Sequence, residues 1–341
     1  MRNLLDEADA AGLQQANELA VAVSGGADSL ALAAATAQLA DRRELTLHGL
    51  IVDHRLQDDS ADVAARTAKQ LHALGFAEVR VLEVDVTGPG GPEAAARGAR
   101  YAALRAARPT ADGLVLLGHT RDDQAETVLL GLGRGSGPRS IAGMRRLDPP
   151  WGRPLLDVPR SVTAAACAEL GLDPWQDPHN ADPAFARVRL RREVLPLLED
   201  VLQGGVAPAL ARTAAQLRED VEALDLLAGR VLDRARTAVQ VPEDVEAPDP
   251  LARHEGSAEA PGEPEAQWRA TLDVAELAGE PPALRRRVLR RWLLDAGVAE
   301  LTDRHLRALD ALIGEWRGQG GVWLPGGLVV SRTRGRLTVS G

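Results

Sequence analysis

The sequence contains a short turn whose residues suit the binding of a phosphate group. It reads Ser-Gly-Gly-Ala-Asp-Ser and lies between an apolar run and a long segment rich in alanine and leucine. This order predicts a strand, a tight turn and a helix, with free N–H groups and the positive end of the helix dipole facing the turn. Such a turn can hold a phosphate or pyrophosphate. Two glycines alone are more typical of an ordinary strand–helix turn, but the full hexad, with its two hydroxyls and a carboxylate, is more specific for an anion site. The predicted phosphate contacts are Ser24, Gly25, Gly26, Ala27, Asp28 and Ser29.

A second motif, at residues 118–127, places a histidine and two carboxylates after another predicted strand. On a helix that starts near Asp122, the side chains of Asp123 and Glu126 are three residues apart and share one face. Two carboxylates there can receive an ammonium group or a magnesium ion. An acidic first turn also stabilises a helix by itself, which is the structural alternative. His119 is either a catalytic group or a hydrogen-bonded structural histidine.

Three further side chains are candidate ligand contacts. Arg97 and Arg100 lie one turn apart on a predicted helix, where they can bind a phosphate or a carboxylate in bidentate fashion. The alternative is that both are ordinary surface arginines of a helix. Asp53 closes a predicted strand, where it can contact a ribose or adenine group or can simply form a turn.

The elements that must position these side chains alternate between strands and helices. Strands are predicted at residues 45–52, 79–86 and 114–117, each followed by a helical pattern. Alternation of this kind predicts an α/β fold, a parallel sheet with helices on both faces. Ligands bind beyond the carboxyl ends of the strands in such sheets. The polar residues at those ends are Ser24, Asp53, His54 and His119.

The rest of the chain divides by composition. Residues 1–200 are predicted to form the catalytic domain and residues 201–240 a helical connector. Residues 241–267 contain eight carboxylates against one arginine and few large apolar residues, which predicts a flexible acidic linker. Residues 268–341 are predicted to form a small α/β domain. It has helices at residues 282–294 and 303–314, and a final hairpin that pairs residues 321–331 with 336–339.

Composition limits the kinds of partner and compartment. The chain has 341 residues, 45% of them hydrophobic, with no apolar run long enough to span a membrane and no signal-peptide core. We therefore expect a cytoplasmic protein without a membrane partner. Cys167 is the only cysteine, which excludes an internal disulfide and a Cys-x-x-Cys site. The net charge of −9 falls mainly in the acidic linker, and the arginine clusters elsewhere are either phosphate-backbone contacts or solvated faces.

The motifs resemble those of the ATP pyrophosphatases, which cleave ATP to AMP and pyrophosphate while adenylating a substrate. The turn is not a Walker loop, because no Gly-Lys-Ser/Thr follows the glycines. More narrowly, roughly residues 15–200 resemble the tRNA(Ile)-lysidine synthases, and the segment from Asp177 to Arg192 separates this family from other pyrophosphate-loop enzymes. The region from residue 268 onward resembles the smaller C-terminal domain of that family. The resemblance rests on residues 24–29, 53–54, 96–101, 117–127, 134–137, 153–156 and 177–187.

The resemblance implies a reaction and its participants. ATP activates the C2 carbonyl oxygen of the wobble cytidine in an isoleucine tRNA with a CAU anticodon, and pyrophosphate leaves. The side-chain amine of free lysine then attacks C2, which releases AMP and leaves lysidine. The resemblance implies that Asp28 helps to position magnesium and that Asp123, Glu126 and His119 serve the amine. It also implies tRNA contacts in the C-terminal domain and at Arg134, Arg187, Arg189 and Arg192, with a homodimer as the assembly to test.

Two alternatives stay open at the level of the sequence. One is a different tRNA-modifying member of the superfamily, such as a 2-thiolation enzyme, although these enzymes usually need several cysteines. The other is a non-catalytic nucleotide-binding or stress protein built on the same sheet. Three positions also depart from the usual family pattern: Arg55, Thr120, where many members have a second histidine, and Val188.

Overall fold

The computed structural model describes residues 1–10, 12, 17–55, 57, 59–87, 91–135, 137–178, 182–237 and 271–340. These residues form two compact units, Met1–Arg218 and Glu219–Gly341. The boundary falls within one helix, Val206–Thr237. The predicted linker at residues 241–267 lies outside the described residues, and the four-part division of the chain stays a prediction.

The first unit begins with strands and helices in strict alternation, as the apolar pattern predicts. The elements are α1 (Arg2–Ala10), β1 (Glu18–Ala22), α2 (Ala27–Arg43), β2 (Thr46–Asp53), α3 (Ser60–Ala73), β3 (Glu78–Glu83), α4 (Pro92–Ala106), β4 (Val115–Leu116) and α5 (Arg121–Gly133).

The elements that follow α5 are mostly short, apart from one long helix at their end, and most of them have no counterpart in the sequence pattern. They are α6 (Pro138–Ile141), β5 (Leu147–Asp148), β6 (Trp151–Gly152), α7 (Arg160–Glu169), α8 (Ala186–Arg189), a π-helical turn (Leu190–Val194), α9 (Leu195–Val201) and α10 (Val206–Thr237).

The strands of the first unit form one sheet in the order β3-β2-β1-β4-β6-β5. All neighbours are parallel except β5, which runs antiparallel to β6. The chain leaves β1 toward β2 on one side, whereas β4 pairs with β1 on the other side, so the strand order reverses between β1 and β4. Doubly wound sheets bind ligands beyond the carboxyl ends of the strands at such a point. The predicted α/β fold with a parallel sheet is confirmed.

The two faces of this sheet are covered by separate apolar clusters. Leu19 and Val21 of β1 pack on one face with Leu30 of α2, whereas Ala20 packs on the other face with Trp151 of β6. Because both faces are buried, β1 is apolar from Leu19 to Ala22 and does not alternate with polar residues. The chain turns polar just beyond the carboxyl end of this strand, at Ser24.

The second unit is a small α/β unit with a four-stranded antiparallel sheet in the order β7-β10-β9-β8. Trp292 is fully buried in its core. Its elements after α10 are β7 (Thr271–Asp273), α11 (Ala275–Ala278), α12 (Pro282–Asp295), α13 (Asp303–Gly314), β8 (Val322–Trp323), a 3-10 turn (Pro325–Gly327), β9 (Val329–Thr333) and β10 (Arg336–Ser340).

The two long helices of this unit agree with the sequence prediction, but the predicted hairpin is wrong in one respect. Residues 321–331 are not one strand. The 3-10 turn at Pro325–Gly327 divides them, and β8 folds back antiparallel onto β9. Gly326 and Gly327 have positive φ angles of 81° and 78°, which an extended strand does not contain.

Within the described ranges, no single helix is both long and apolar enough to cross a membrane. One pair of helical segments, Ala186–Val201 and Val206–Arg236, meets the length and composition criteria only when joined across a 95° bend.

The turn between β1 and α2 requires glycine at its second position. Gly25 has a φ of +83°, and a Cβ added there would lie 2.6 Å from the hydroxyl oxygen of Thr67. The Thr67 hydroxyl is itself fixed, because it donates a hydrogen bond to the Val63 carbonyl at 2.8 Å. The turn is therefore packed directly against α3.

We predict that Gly25→Ala destabilises the protein more than Gly171→Ala. Gly171 also has a positive φ, +64°, but an added Cβ would meet nothing within 4 Å. The left-handed backbone costs a Cβ-bearing residue about 1–2 kcal/mol at either site. Overpacking against Thr67 adds about 1–3 kcal/mol at Gly25 alone. Urea denaturation followed by circular dichroism measures the difference, and equal losses in the two variants would contradict it.

Candidate active site

The turn after β1 is held together by the two serines that flank it. The backbone N–H of Ser24 donates to the Ser29 hydroxyl oxygen at 3.2 Å, and the two hydroxyl oxygens are 3.3 Å apart. The Ser29 hydroxyl also donates to the Gly26 carbonyl at 2.9 Å. Gly26 is the N-cap of α2 and supplies no capping side chain. The first turn of α2, including Ala27, thus presents main-chain groups and a helix dipole to an anion.

The residues that follow β4 lie against the start of α2. A Cβ at Gly118 would lie 3.1 Å from main-chain atoms of Asp28 and Ser29, so glycine permits the close approach. The two predicted motifs, residues 24–29 and 118–127, therefore meet at the point where the strand order of the sheet reverses. This juxtaposition depends on backbone packing alone, before any side-chain contact is considered.

Asp123 is fixed at the start of α5 by a capping arrangement with Thr120. The backbone N–H and the hydroxyl of Thr120 both donate to Oδ2 of Asp123, at 2.8 and 2.9 Å. Burial raises the pKa of Asp123, but the neighbouring guanidinium of Arg160 and the two Thr120 hydrogen bonds outweigh burial, and the net pKa lies below its usual value. Asp123 is therefore a charged carboxylate whose second oxygen faces Arg160.

Glu126 is completely buried on the same face of α5. Nε and Nη2 of Arg191 donate to its two carboxylate oxygens at 2.8 and 3.3 Å. Arg160 Nη1 lies 3.5 Å from the same carboxylate, and Arg187 Nη1 lies 3.9 Å from it. A buried carboxylate is tolerated only when it is paired and hydrogen-bonded, and these arginines satisfy that requirement.

Arg160, the first residue of α7, contacts all three predicted catalytic carboxylates. Its Nε donates to Asp28 Oδ2 at 3.1 Å, its Nη2 donates to Asp123 Oδ1 at 2.6 Å, and its Nη1 faces Glu126. Burial lowers the pKa of Arg160, but the three carboxylates raise it by a larger amount. The net pKa therefore lies above its usual value. The Thr163 hydroxyl forms a short hydrogen bond to the other oxygen of Asp28.

His119 is kept neutral by its surroundings. Burial lowers its pKa, Asp123 raises it, and the nearby arginines Arg100 and Arg97 lower it again, with a result of about 3 against an ordinary value of 6.5. Its Nδ1 is buried and has no hydrogen-bond partner among the described residues. Burial also lowers the pKa of His54.

Arg97 and Arg100 lie on α4 and pack over the ring of Tyr101. Their guanidinium carbons are 4.9 and 5.4 Å from the ring centroid. Burial lowers the pKa of Arg100, and the nearby charges of Arg97 and Arg187 lower it as well, although Tyr101 raises it. These two arginines place positive charge on α4 close enough to His119 to lower its pKa.

The other predicted site residues have varied surroundings. Asp53 is buried at the end of β2 and accepts a hydrogen bond from the Arg55 N–H at 2.8 Å, which is the turn-forming arrangement. Arg134 is exposed just after α5, and Arg192 is exposed in the π-helical turn. Arg189 forms an exposed ion pair with Glu193. Arg187, a further predicted tRNA contact, lies 3.9 Å from Glu126 and so borders the carboxylate cluster, by which we mean Asp28, Asp123 and Glu126.

The sequence prediction did not identify Arg160, Thr163 or Arg191 as site residues. Arg191 had a detectable signal, because it belongs to the arginine-rich run that precedes α9. Arg160 and Thr163 had none, since they follow Pro159 in an ordinary helical pattern. Their significance comes from contacts with Asp28, which lies 132 and 135 positions away in the chain.

We predict that His119 stays uncharged at every pH from 5 to 8. Its proton resonances, assigned by their loss in His119→Asn, should not titrate in that range by NMR. Because its folded pKa of about 3 lies below the unfolded value of 6.5, the unfolded chain binds more protons between these values, and His119 makes stability fall as the pH falls from 6.5 toward 3. His119→Asn should flatten that slope. A midpoint near 6.5 in the folded protein would contradict the prediction.

Two family models match the chain. The model described as the PP-loop domain matches residues 2–198, and the model described as the TilS substrate binding domain matches residues 272–338. The first match covers more than half of the chain and contains every residue of the carboxylate cluster. The second falls within the antiparallel unit.

Curated relatives match over nearly the whole length. A tRNA(Ile)-lysidine synthase of Rhodococcus jostii is 56% identical, over 94% of this chain and 89% of the relative. One of Mycolicibacterium paratuberculosis is 53% identical, over 99% and 95%. Among solved structures, the U34-tRNA thiolase NcsA from Methanococcus maripaludis matches with a TM-score of 0.51 and 18% identity, over 59% of this chain and 72% of that one, which supports the fold alone. With these relatives and both family models, the chain belongs to the tRNA(Ile)-lysidine synthase family.

Proposed function

We propose that this protein ligates free L-lysine to C2 of the wobble cytidine in an isoleucine tRNA with a CAU anticodon, with ATP as the energy source. The observation that carries the proposal is the meeting of the phosphate turn with the carboxylates of α5, where Asp28 and Asp123 contact the same guanidinium. In the proposed site, the residues that cleave ATP lie next to the residues that bind the amine. A ligation in two steps needs this proximity, because both steps act on the same base.

In the first step the cytidine O2 attacks the α-phosphorus of ATP, and the bond to pyrophosphate breaks. The turn at residues 24–29 faces the leaving pyrophosphate with main-chain groups and the hydroxyls of Ser24 and Ser29. Donors that are fixed before the reaction stabilise developing charge without reorganisation. The Ser24–Ser29 contacts keep these donors in place. The tRNA base must leave its stack to reach this turn.

Magnesium is part of the proposal, and one donor beside the turn suits it. Mg²⁺ at nucleotide sites usually takes one or two carboxylates and completes its shell with phosphates and water. No group of three or more His, Cys, Asp or Glu side chains forms a metal cage within the described ranges. Asp28, which is 24% exposed next to the turn, would supply the single carboxylate. The ion would neutralise charge on the phosphates.

In the second step the lysine amine attacks C2 and the bond from C2 to the AMP oxygen breaks. Asp123 and Glu126 bind the incoming ammonium, and neutral His119 accepts a hydrogen bond from it. The reference pKa of the lysine side chain is about 10.4, so its amine arrives protonated at neutral pH. Because an ammonium nitrogen has no lone pair, the amine must lose a proton before it attacks C2, and Asp123 and Glu126, with His119, assist that deprotonation.

Other parts of the proposal concern binding. Arg97 or Arg100 holds the lysine carboxylate or a phosphate of ATP, and Asp53 contacts the nucleoside. Arg134, Arg187, Arg189 and Arg192 and the C-terminal unit contact the tRNA backbone. A cytoplasmic homodimer is the proposed form of the enzyme, and sedimentation velocity measures its assembly.

The defining experiment combines purified protein with ATP, magnesium, radiolabelled lysine and total tRNA. We predict that label enters one minor isoleucine tRNA and that AMP forms in equal amount. Omission of ATP is the control and should abolish incorporation. Label in tRNA without ATP, or no label at all, would overturn the proposal, and sulfur incorporation in place of lysine would indicate a thiolation enzyme.

We predict that substitutions separate the two steps. Asp28→Ala should abolish AMP formation because it alters the pyrophosphate side. Asp123→Asn should still transfer label from [α-³²P]ATP to tRNA but should slow lysine incorporation by at least about a hundredfold, in line with the loss of one positioned catalytic group. Thin-layer chromatography of nuclease-digested tRNA measures both products. Equal loss of both steps in Asp123→Asn would contradict the division.

A further inference from the structure

Arg160 contacts the same three carboxylates to which the proposed reaction assigns cationic ligands. Each nitrogen of its guanidinium faces a different carboxylate, on Asp28, Asp123 and Glu126, at 3.1, 2.6 and 3.5 Å. Its side chain is 26% exposed. The position between Asp123 and Glu126 therefore holds a guanidinium that belongs to the protein itself.

The charges in this cluster are balanced. Three carboxylates face three guanidiniums, those of Arg160, Arg191 and Arg187, with the longest ion pair at 3.9 Å. Glu126 is fully buried and Asp123 is 15% exposed, so solvent screens the cluster weakly. A further cation would leave an unbalanced positive charge in a poorly screened site. An ammonium can therefore enter this cluster favourably only if one guanidinium withdraws.

Arg160 is better placed to withdraw than Arg191. Arg191 holds Glu126 with two nitrogens, at 2.8 and 3.3 Å, which is the stronger bidentate geometry. Arg160 makes one contact to each partner, and its backbone is fixed separately, because its N–H donates to Asp122 Oδ2 at 2.8 Å. The side chain can thus rotate away while α7 stays in place.

The carboxylates keep other hydrogen bonds when the Arg160 side chain leaves. Asp28 retains the Thr163 hydroxyl, and Asp123 retains both hydrogen bonds from Thr120. Departure of Arg160 therefore exposes oriented carboxylate oxygens without leaving either side chain free to move.

We propose that Arg160 is a built-in competitor for the amine substrate: its guanidinium occupies the place of the substrate ammonium between Asp123 and Glu126, and lysine binds by displacing it. This rests on the proposed function, which assigns the ammonium to these carboxylates. Arg160 is then a specificity-determining residue. A cationic ligand must interact with the carboxylates strongly enough to replace a resident guanidinium, which disfavours weakly binding cations of the cell.

The test is the affinity for lysine, measured by equilibrium dialysis of the full chain with radiolabelled lysine, with and without a non-hydrolysable ATP analogue. Arg160→Gln removes the competing charge and should lower the Kd for lysine about tenfold, since a binding-competent state becomes more populated. Arg160→Lys, which keeps the charge, should stay near the wild-type Kd. Arg43→Gln is the matched control, because it removes an arginine that pairs with Asp6 and Asp9, far from the cluster in sequence and outside its contacts.

Chemical competition gives a second readout that a merely structural role would not produce. Added methylguanidinium should compete with lysine in Arg160→Gln and should have little effect on the wild type, where the place is already occupied. An equal concentration of sodium chloride controls for ionic strength. Equal sensitivity of the two proteins to methylguanidinium would contradict the proposal.

A measurement on the wild-type protein avoids dependence on the folding of the variant. Lysine should shift the Arg160 Nε–H resonance toward that of a solvent-exposed arginine in an NMR titration. If lysine binds but this resonance stays unchanged, or if Arg160→Gln binds lysine no better than the wild type, Arg160 is a fixed counter-ion and the displacement proposal is overturned. If neither protein binds lysine, the amine site of the proposed function fails as well.

Discussion

The burial of the Glu126 carboxylate is the interaction on which the arrangement of the first unit depends. A carboxylate with no exposed surface is stable only beside fixed cations, and loss of its partners would cost several kcal/mol. The cations come from two other segments: Arg160 from the start of α7, and Arg187 and Arg191 from α8 and the π-helical turn. The ion pairs of Glu126 on α5 therefore hold these segments near the carboxyl edge of the sheet.

This requirement explains why the region after the sheet is built from short elements. The segment from α8 to α9 passes through a π-helical turn, and Arg191 lies in that turn. A π-helical turn changes the direction in which successive side chains point and is frequent at functional sites. Here it accompanies an arginine that reaches Glu126 with two nitrogens. The regular α-helical spacing is thus interrupted at the residue that forms the ion pair with Glu126.

The sequence predicted much of the fold because the sheet is buried on both faces. Continuous apolar strands end abruptly in Ser24, Asp53 and His119, and this change is visible in the residues alone. Strands of two residues, such as β5 and β6, have no periodicity to detect. The strand predicted at residues 321–331 was wrong because the prediction carried the strand through Pro325–Gly327, although proline followed by two glycines favours a turn.

The sequence predicted the contacts of the site that join residues close together in the chain. It did not predict the contacts that join distant residues. Asp123 and Glu126 share a helical face, so spacing alone brings them together. The contact of Arg160 with Asp28 joins residues 132 positions apart, and its geometry follows only from the packed sheet and helices. The contact between Thr120 and Asp123 is also local: Thr120 lies three residues before Asp123, and its backbone N–H and hydroxyl both donate to that carboxylate.

His119 is close to charges of both signs, and its neutrality reflects both. Asp123 favours the protonated imidazole, whereas burial, Arg100 and Arg97 disfavour it, and the second group prevails. An amino acid such as lysine carries an ammonium at one end and a carboxylate near the other. For the proposed reaction, a site with carboxylates on α5 and arginines on α4 matches that separation of charge. A neutral imidazole near these groups adds a polar contact and no charge. The arginines alone therefore balance the negative charge of the carboxylate cluster.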